Sequence, residues 1–138
     1  MNKKIITVIT LIVIISATLM CVSAEDDIVI NGISFNTPDG FIFDENLSKE
    51  VADEYDFNIS DVGVLVNGDN TINISVINNT NHTTLEELNN VNAPIKTIEE
   101  KEGALFTLGD YIVFSYIDGD KVVMIESNSE NLINEVIG

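Results

Sequence analysis

His82 is the only histidine in the sequence, and Cys21 is the only cysteine. One imidazole excludes a multi-histidine metal centre. A Ser-His-Asp triad would have to use His82, in a run of Asn and Thr that reads as a loop, and no G-x-S-x-G elbow presents a serine. Carboxylates are plentiful, with 23 Asp and Glu. Glycoside hydrolysis needs two of them converging across a cleft, and the sequence singles out no such pair. Asp118-Gly119-Asp120 and Asn67-Gly68-Asp69-Asn70 offer oxygen ligands of the kind calcium takes, but neither has EF-hand spacing. Turn chemistry accounts for both more simply. Tyr111, Phe114 and Tyr116 are expected to alternate along a strand and read as cross-strand packing rather than a ligand platform. No G-x-G-x-x-G or Walker loop supports nucleotide binding. The sequence therefore assigns no catalytic, cofactor-binding or metal-ligating residue, and no cofactor.

What it does specify is an address. Lys3 and Lys4 precede an uncharged run, Ile5 to Ala24, followed by Glu25-Asp26-Asp27. That is the layout of an export signal, and Val22-Ser23-Ala24 suits cleavage after Ala24. The alternative is an uncleaved anchor, because the run approaches the roughly 20 residues that span a bilayer. In both readings the rest of the chain lies outside the cytoplasm, in the extracellular space or at the cell surface. A lipoprotein role for Cys21 is disfavoured, because Met20 before it is not small.

Residues 25–138 form one domain of ordinary length and contain no cysteine, so disulfides cannot staple it. Lys49, Lys96, Lys101 and Lys121 stand against all 23 acids, a formal charge of −19. Such a surface repels nucleic-acid phosphates and anionic lipid, and it attracts cations or basic partners. Five N-x-S/T sequons begin at Asn46, Asn58, Asn73, Asn78 and Asn81. Asn78 and Asn81, in a polar turn, are the favoured glycosylation sites, with Asn46 and Asn58 after them. Asn73 falls inside an expected strand.

The elements follow from periodicity. Ile28, Ile30, Ile33 and Phe35 flank Asn31-Gly32, a hairpin signal. Pro38-Asp39-Gly40 turns the chain, and Phe41 and Phe43 resume alternation. Leu47, Val51 and Tyr55 predict a short surface helix. Val62, Val64 and Val66, then Ile72, Ile74 and Val76, predict a hairpin with those six side chains on one face. Thr84-Leu85-Glu86-Glu87 matches a capping box, with Leu85, Leu88 and Val91 striping a two-turn helix that ends at Asn92-Ala93-Pro94. Strands are expected over Ile95 to Glu100 and Ala104 to Leu108, with Lys101-Glu102-Gly103 as the turn. Tyr111 to Ile117 and Val122 to Ser127 flank Asp118-Gly119-Asp120-Lys121, another hairpin. Ser127 to Glu130 then caps a final helix carrying Leu132, Ile133, Val136 and Ile137 on one face. The expected fold is α+β: an antiparallel sheet of about six strands built from hairpins, with two or three short helices, including a C-terminal one packed on it.

Three segments carry a resemblance. INGISFNTPDGF, VLVNGDNTINISV and IKTIEEKEGALFTLGDYIVFSYIDGDKVVMIESNSENLINEVI resemble small secreted domains of methanogenic archaea whose function is unknown. The opening segment, with Phe35, Pro38, Gly40 and Phe41, is also similar to PsbP-like folds. These resemblances imply an archaeal cell-surface protein and supply no catalytic residues. The expectation is an exported, acidic, non-enzymatic binding or envelope-associated module. A carboxylate-based hydrolase and a domain anchored through Ile5–Ala24 that binds a partner are the alternatives.

Overall fold

The computed structural model describes residues 27–138. The export segment, its cleavage after Ala24, Cys21 and the anchor reading lie outside the described residues. The architecture is α+β. A ribbon of β1 (Ile28–Ile30) and β2 (Ile33–Phe35) accompanies a seven-stranded antiparallel sheet. The sheet comprises β3 (Ile42–Phe43), β4 (Val62–Asn67), β5 (Asn70–Asn78), β6 (Ile95–Ile98), β7 (Lys101–Leu108), β8 (Tyr111–Asp118) and β9 (Lys121–Ser127). Its order is β3-β4-β5-β9-β8-β7-β6. Helices α1 (Glu45–Tyr55), α2 (Leu85–Leu88) and α3 (Glu130–Ile137) complete it, with a short 3-10 turn at Ile59–Asp61.

Two-residue loops set the register. Gly68-Asp69, Gly109-Asp110 and Gly119-Asp120 each join two strands, and the glycine of each has a positive φ near 60°. A glycine at the first loop position is what a type II′ hairpin turn requires. The loop at Gly68-Asp69 also overturns one expectation. It places Leu65 opposite Ile72 and Val64 opposite Asn73, so even-numbered positions face odd-numbered ones. Facing residues share a side of the sheet. Val62, Val64 and Val66 therefore lie on the face opposite to Ile72, Ile74 and Val76, although all six are buried.

The main core occupies the face bearing Leu65, Ile72, Ile74, Val76, Phe114, Tyr116, Val123 and Ile125. Ile30 and Phe35 of the ribbon, and Ile133 and Val136 of α3, close over it. Each such side chain contributes roughly 1.5–3 kcal/mol by leaving water. Gly63 admits the ribbon: a Cβ there would sit 2.5 Å from Ile30 Cδ1. A polar row ends this face. Lys101 Nζ pairs with Asp118 at 3.1 Å, while Lys121 reaches Asn31 and Asn78. The other face is buried where α1 packs against β4, and Ala104, Val113 and Ser115 are buried where α2 lies against β7 and β8.

Helix α1 exposes a second mismatch. Tyr55 is exposed and Leu47 and Val51 are half-buried, whereas Ser48 and Ala52 are fully buried. The inward line is shifted by one residue because Ser48 is needed for its hydroxyl. Its Oγ accepts from Val64 N–H at 2.9 Å and donates to Asp44 O at 2.6 Å. The hydroxyl thus stands where a ladder hydrogen bond between β4 and the chain after β3 would close. Asp44 caps α1, its Oδ1 accepting from Leu47 N–H at 2.9 Å.

Two further expectations change. Helix α2 has the predicted capping box but spans one turn. Asn89 stops it by bonding Ala93 N–H and C=O, and Val91 is exposed. The expected turn at Lys101-Glu102-Gly103 is part of β7, and Glu99-Glu100 makes the turn instead. Gly103 serves packing: a Cβ there would lie 2.6 Å from Phe114 Cε2.

A cleft between an edge strand and the C-terminal helix

Strand β6 is one border of the sheet. Pro94 precedes it, and the Pro94 carbonyl accepts from Leu105 N–H at 3.0 Å. That bond fixes which residues face β7. Pro94, Lys96 and Ile98 turn their backbone groups inward, against Leu105, Gly103 and Lys101. Ile95 and Thr97 turn theirs outward, and among the described residues these groups have no partner. The strand ends in the Glu99-Glu100 turn, with φ of 47° and 67°. This left-handed conformation costs an ordinary L-residue roughly 1–2 kcal/mol.

Helix α3 forms the facing wall. Ser129 is its N-cap, and Ser129 N–H is held by Ser127 Oγ at 3.3 Å. Ile133 and Val136 point into the core, with Leu132 and Ile137 packed beside them. That orientation leaves Glu130, Asn131 and Asn134 toward β6. Glu130 pairs with Lys96 across the gap. Asn131 Nδ2 donates to Glu135 Oε1 at 2.9 Å, and the Asn134 carboxamide makes no hydrogen bond among the described residues. An open cleft of about 500 Å³ results, walled by Lys96, Thr97, Ile98 and Glu99 on one side and Glu130, Asn131 and Asn134 on the other. Two carboxylates, those of Glu99 and Glu130, line it, and its one ammonium, that of Lys96, is already paired with Glu130. Chemically, it can hold a polar or cationic group between an amide-bearing helix and an open backbone edge.

The residues singled out in the sequence lie elsewhere. His82 is exposed in the loop after β5, with φ of 53°. Asp118 is occupied by Lys101, and Asn70 Oδ1 accepts from Asn128 at 2.8 Å. Among the described residues, no three His, Cys, Asp or Glu side chains gather closely enough to hold a metal ion. Phe114 and Tyr116 pack with their rings tilted by 36° along the same face of β8, ring centres 5.5 Å apart, while Tyr111 points to the other face. Burial pushes the Tyr116 phenol well above the usual tyrosine range, and the nearby Asp118 carboxylate adds to it. Asn46, Asn58, Asn78 and Asn81 are all exposed. Asn78 Oδ1 accepts from Lys121 and Asn31, and its Nδ2 makes no hydrogen bond among the described residues. Asn73 is half-buried in β5 beside Glu126.

None of the cleft residues was singled out from the sequence. One signal was present: a proline immediately before a short strand marks a sheet border. Two backbone outliers at the turn add the kind of strain that gathers at functional sites. No helix among the described residues is long and apolar enough to cross a membrane. Neither a known protein family, nor a curated protein, nor a solved structure matches the chain, so the site is read from its own geometry.

Proposed function

We propose that this protein is an exported, non-enzymatic binding module of the cell surface, and that it takes its ligand in the cleft between β6 and α3. One observation carries the reading: the outward backbone groups of Thr97 stand open in the cleft that the unpartnered Asn134 carboxamide also lines, with those of Ile95 open next along the strand. A few polar groups placed along a cleft in this way give a ligand orientation and specificity. The lysine-led apolar segment before Glu25 supports export, and the resemblance to secreted archaeal domains accords with it. Exposed sequons at Asn78 and Asn81 fit a glycosylated surface protein.

Two measurements test the proposal. Protein recovered outside the cell should begin at Glu25; a chain retained in the cytoplasm with Met1 intact overturns export. Amide-shift mapping with a cell-envelope fraction should move Thr97, Asn131 and Asn134. Shifts confined to other surfaces overturn the cleft as the binding site.

A second reading, a carboxylate-based hydrolase, is favoured by Glu99 and Glu130 lying on opposite walls of one cleft. It requires that glycan or peptide hydrolysis by the purified protein disappear in Glu99→Gln. Without such activity the binding reading stands alone.

A further inference from the structure

We propose that the free border of β6 takes up an extended, basic segment of a partner protein as an additional strand. This deepens the binding reading and rests on it. Ile95 and Thr97 each present one N–H and one C=O away from β7, the arrangement that an added strand satisfies. Natural sheets blunt such borders with proline, with charges or with a covering element. Here Pro94 lies just before the strand rather than within it. Lys96, the one charge on β6, is drawn toward α3 by Glu130 and does not guard the outer backbone. Helix α3 stands beside the border without capping it, so strand and helix form a groove open to solvent.

Charge selects the occupant. Glu99 and Glu130 line the groove, and residues 25–138 carry a formal −19. A second copy of this chain would bring the same charge to its own β6, and like charges across an interface oppose pairing. A segment bearing Lys or Arg instead gains from the field and is steered toward the border. The backbone pairs with Ile95 and Thr97, while basic side chains reach Glu99 and Glu130. Only two residues of β6 face outward, so the contact is small and of the transient class.

The exported protein, isotope-labelled, is titrated with a peptide of alternating Lys and Val and with its Glu-Val counterpart. The basic peptide should shift the Ile95 and Thr97 amides saturably, and the acidic one should not. Raising salt from about 50 to about 500 mM should weaken the effect markedly. Thr97→Pro removes one outward N–H without touching a bond to β7, and it should weaken binding about tenfold with the sheet intact. Should Thr97→Pro unfold the protein, Asn134→Lys, on the exposed side of α3, should weaken the basic peptide instead. Equal binding of both peptides, shifts away from β6, or undiminished affinity in the tested variant overturns the proposal. So does sedimentation as a dimer that Thr97→Pro dissociates. If the peptide fails while an envelope fraction still moves Thr97 and Asn134, the added strand is wrong and the cleft reading survives. If both fail, both fall.

Discussion

Replacing Glu100 by glycine isolates the strain stored at the end of β6. Glu100 holds φ at 67° and its side chain is exposed, so its removal sacrifices no packing. A left-handed conformation costs an L-residue roughly 1–2 kcal/mol. Glycine adopts it freely but gives the unfolded chain extra freedom, returning about 0.5–1 kcal/mol. The net expectation for Glu100→Gly is a gain of about 0–1.5 kcal/mol, centred on ~0.75 kcal/mol. For a domain of this size that raises Tm by about 2–4 °C. The comparison variant is Glu100→Ala, which removes the same charge but keeps the Cβ that creates the strain. An unchanged slope in urea denaturation would show that the surface exposed on unfolding is the same, so that the shift in midpoint reports stability. If the glycine variant is no more stable than the alanine variant, the turn is not strained and the reasoning fails. Glu99 is left in place because its carboxyl carbon lies 3.1 Å from where a Cβ on Gly138 would sit.

Two other outcomes follow from buried polar groups. Ser48→Ala removes the hydroxyl between Val64 and Asp44, leaving the Val64 N–H without a partner; it should cost about 1–3 kcal/mol in urea denaturation, and a loss below about 0.5 kcal/mol would mean that water replaces it. The raised Tyr116 pKa has a definite sign: above pH 10, the ordinary value, the unfolded chain loses a proton that the folded chain keeps. Stability from this group is therefore complete below that pH and is lost as pH rises toward the folded value, by at most about 1.4 kcal/mol per pH unit. Tyr116→Phe should flatten that part of the profile, and an unchanged slope would assign the loss to other groups.

The fold class was legible because its signals are local. Asn31-Gly32, Gly68-Asp69 and Gly119-Asp120 announce hairpins, and Thr84 with Glu87 announces a helix start. The facing of β4 was not, because both of its faces are covered and both read as apolar. Only the count of loop residues at Gly68-Asp69 decides whether Val64 or Leu65 meets Ile72. Ser48 was missed since its burial follows from a hydrogen bond to a strand border, which hydrophobicity does not register. Glu99-Glu100 was missed because neither residue favours a positive φ, and Gly103 drew the turn toward itself although it is needed beneath Phe114. The cleft was illegible for a further reason. Its two walls lie more than 30 residues apart, and they meet only because α3 is laid on the core by Ile133 and Val136.

The sheet order also has a meaning in time. The meander β3–β4–β5 and the meander β6–β7–β8–β9 join only through β5 and β9, where Ile74 meets Ile125. As the chain emerges from the ribosome, β5, the longest strand at nine residues, has one bare side until nearly the whole sequence has followed it. Pairings that distant form late and slowly. The first half of the protein thus stays open while the second is being made, and delivery of the last strand sets the moment of folding. An interval of that kind leaves the chain still threadable, and exposed to wrong partners, for as long as synthesis of β9 is delayed.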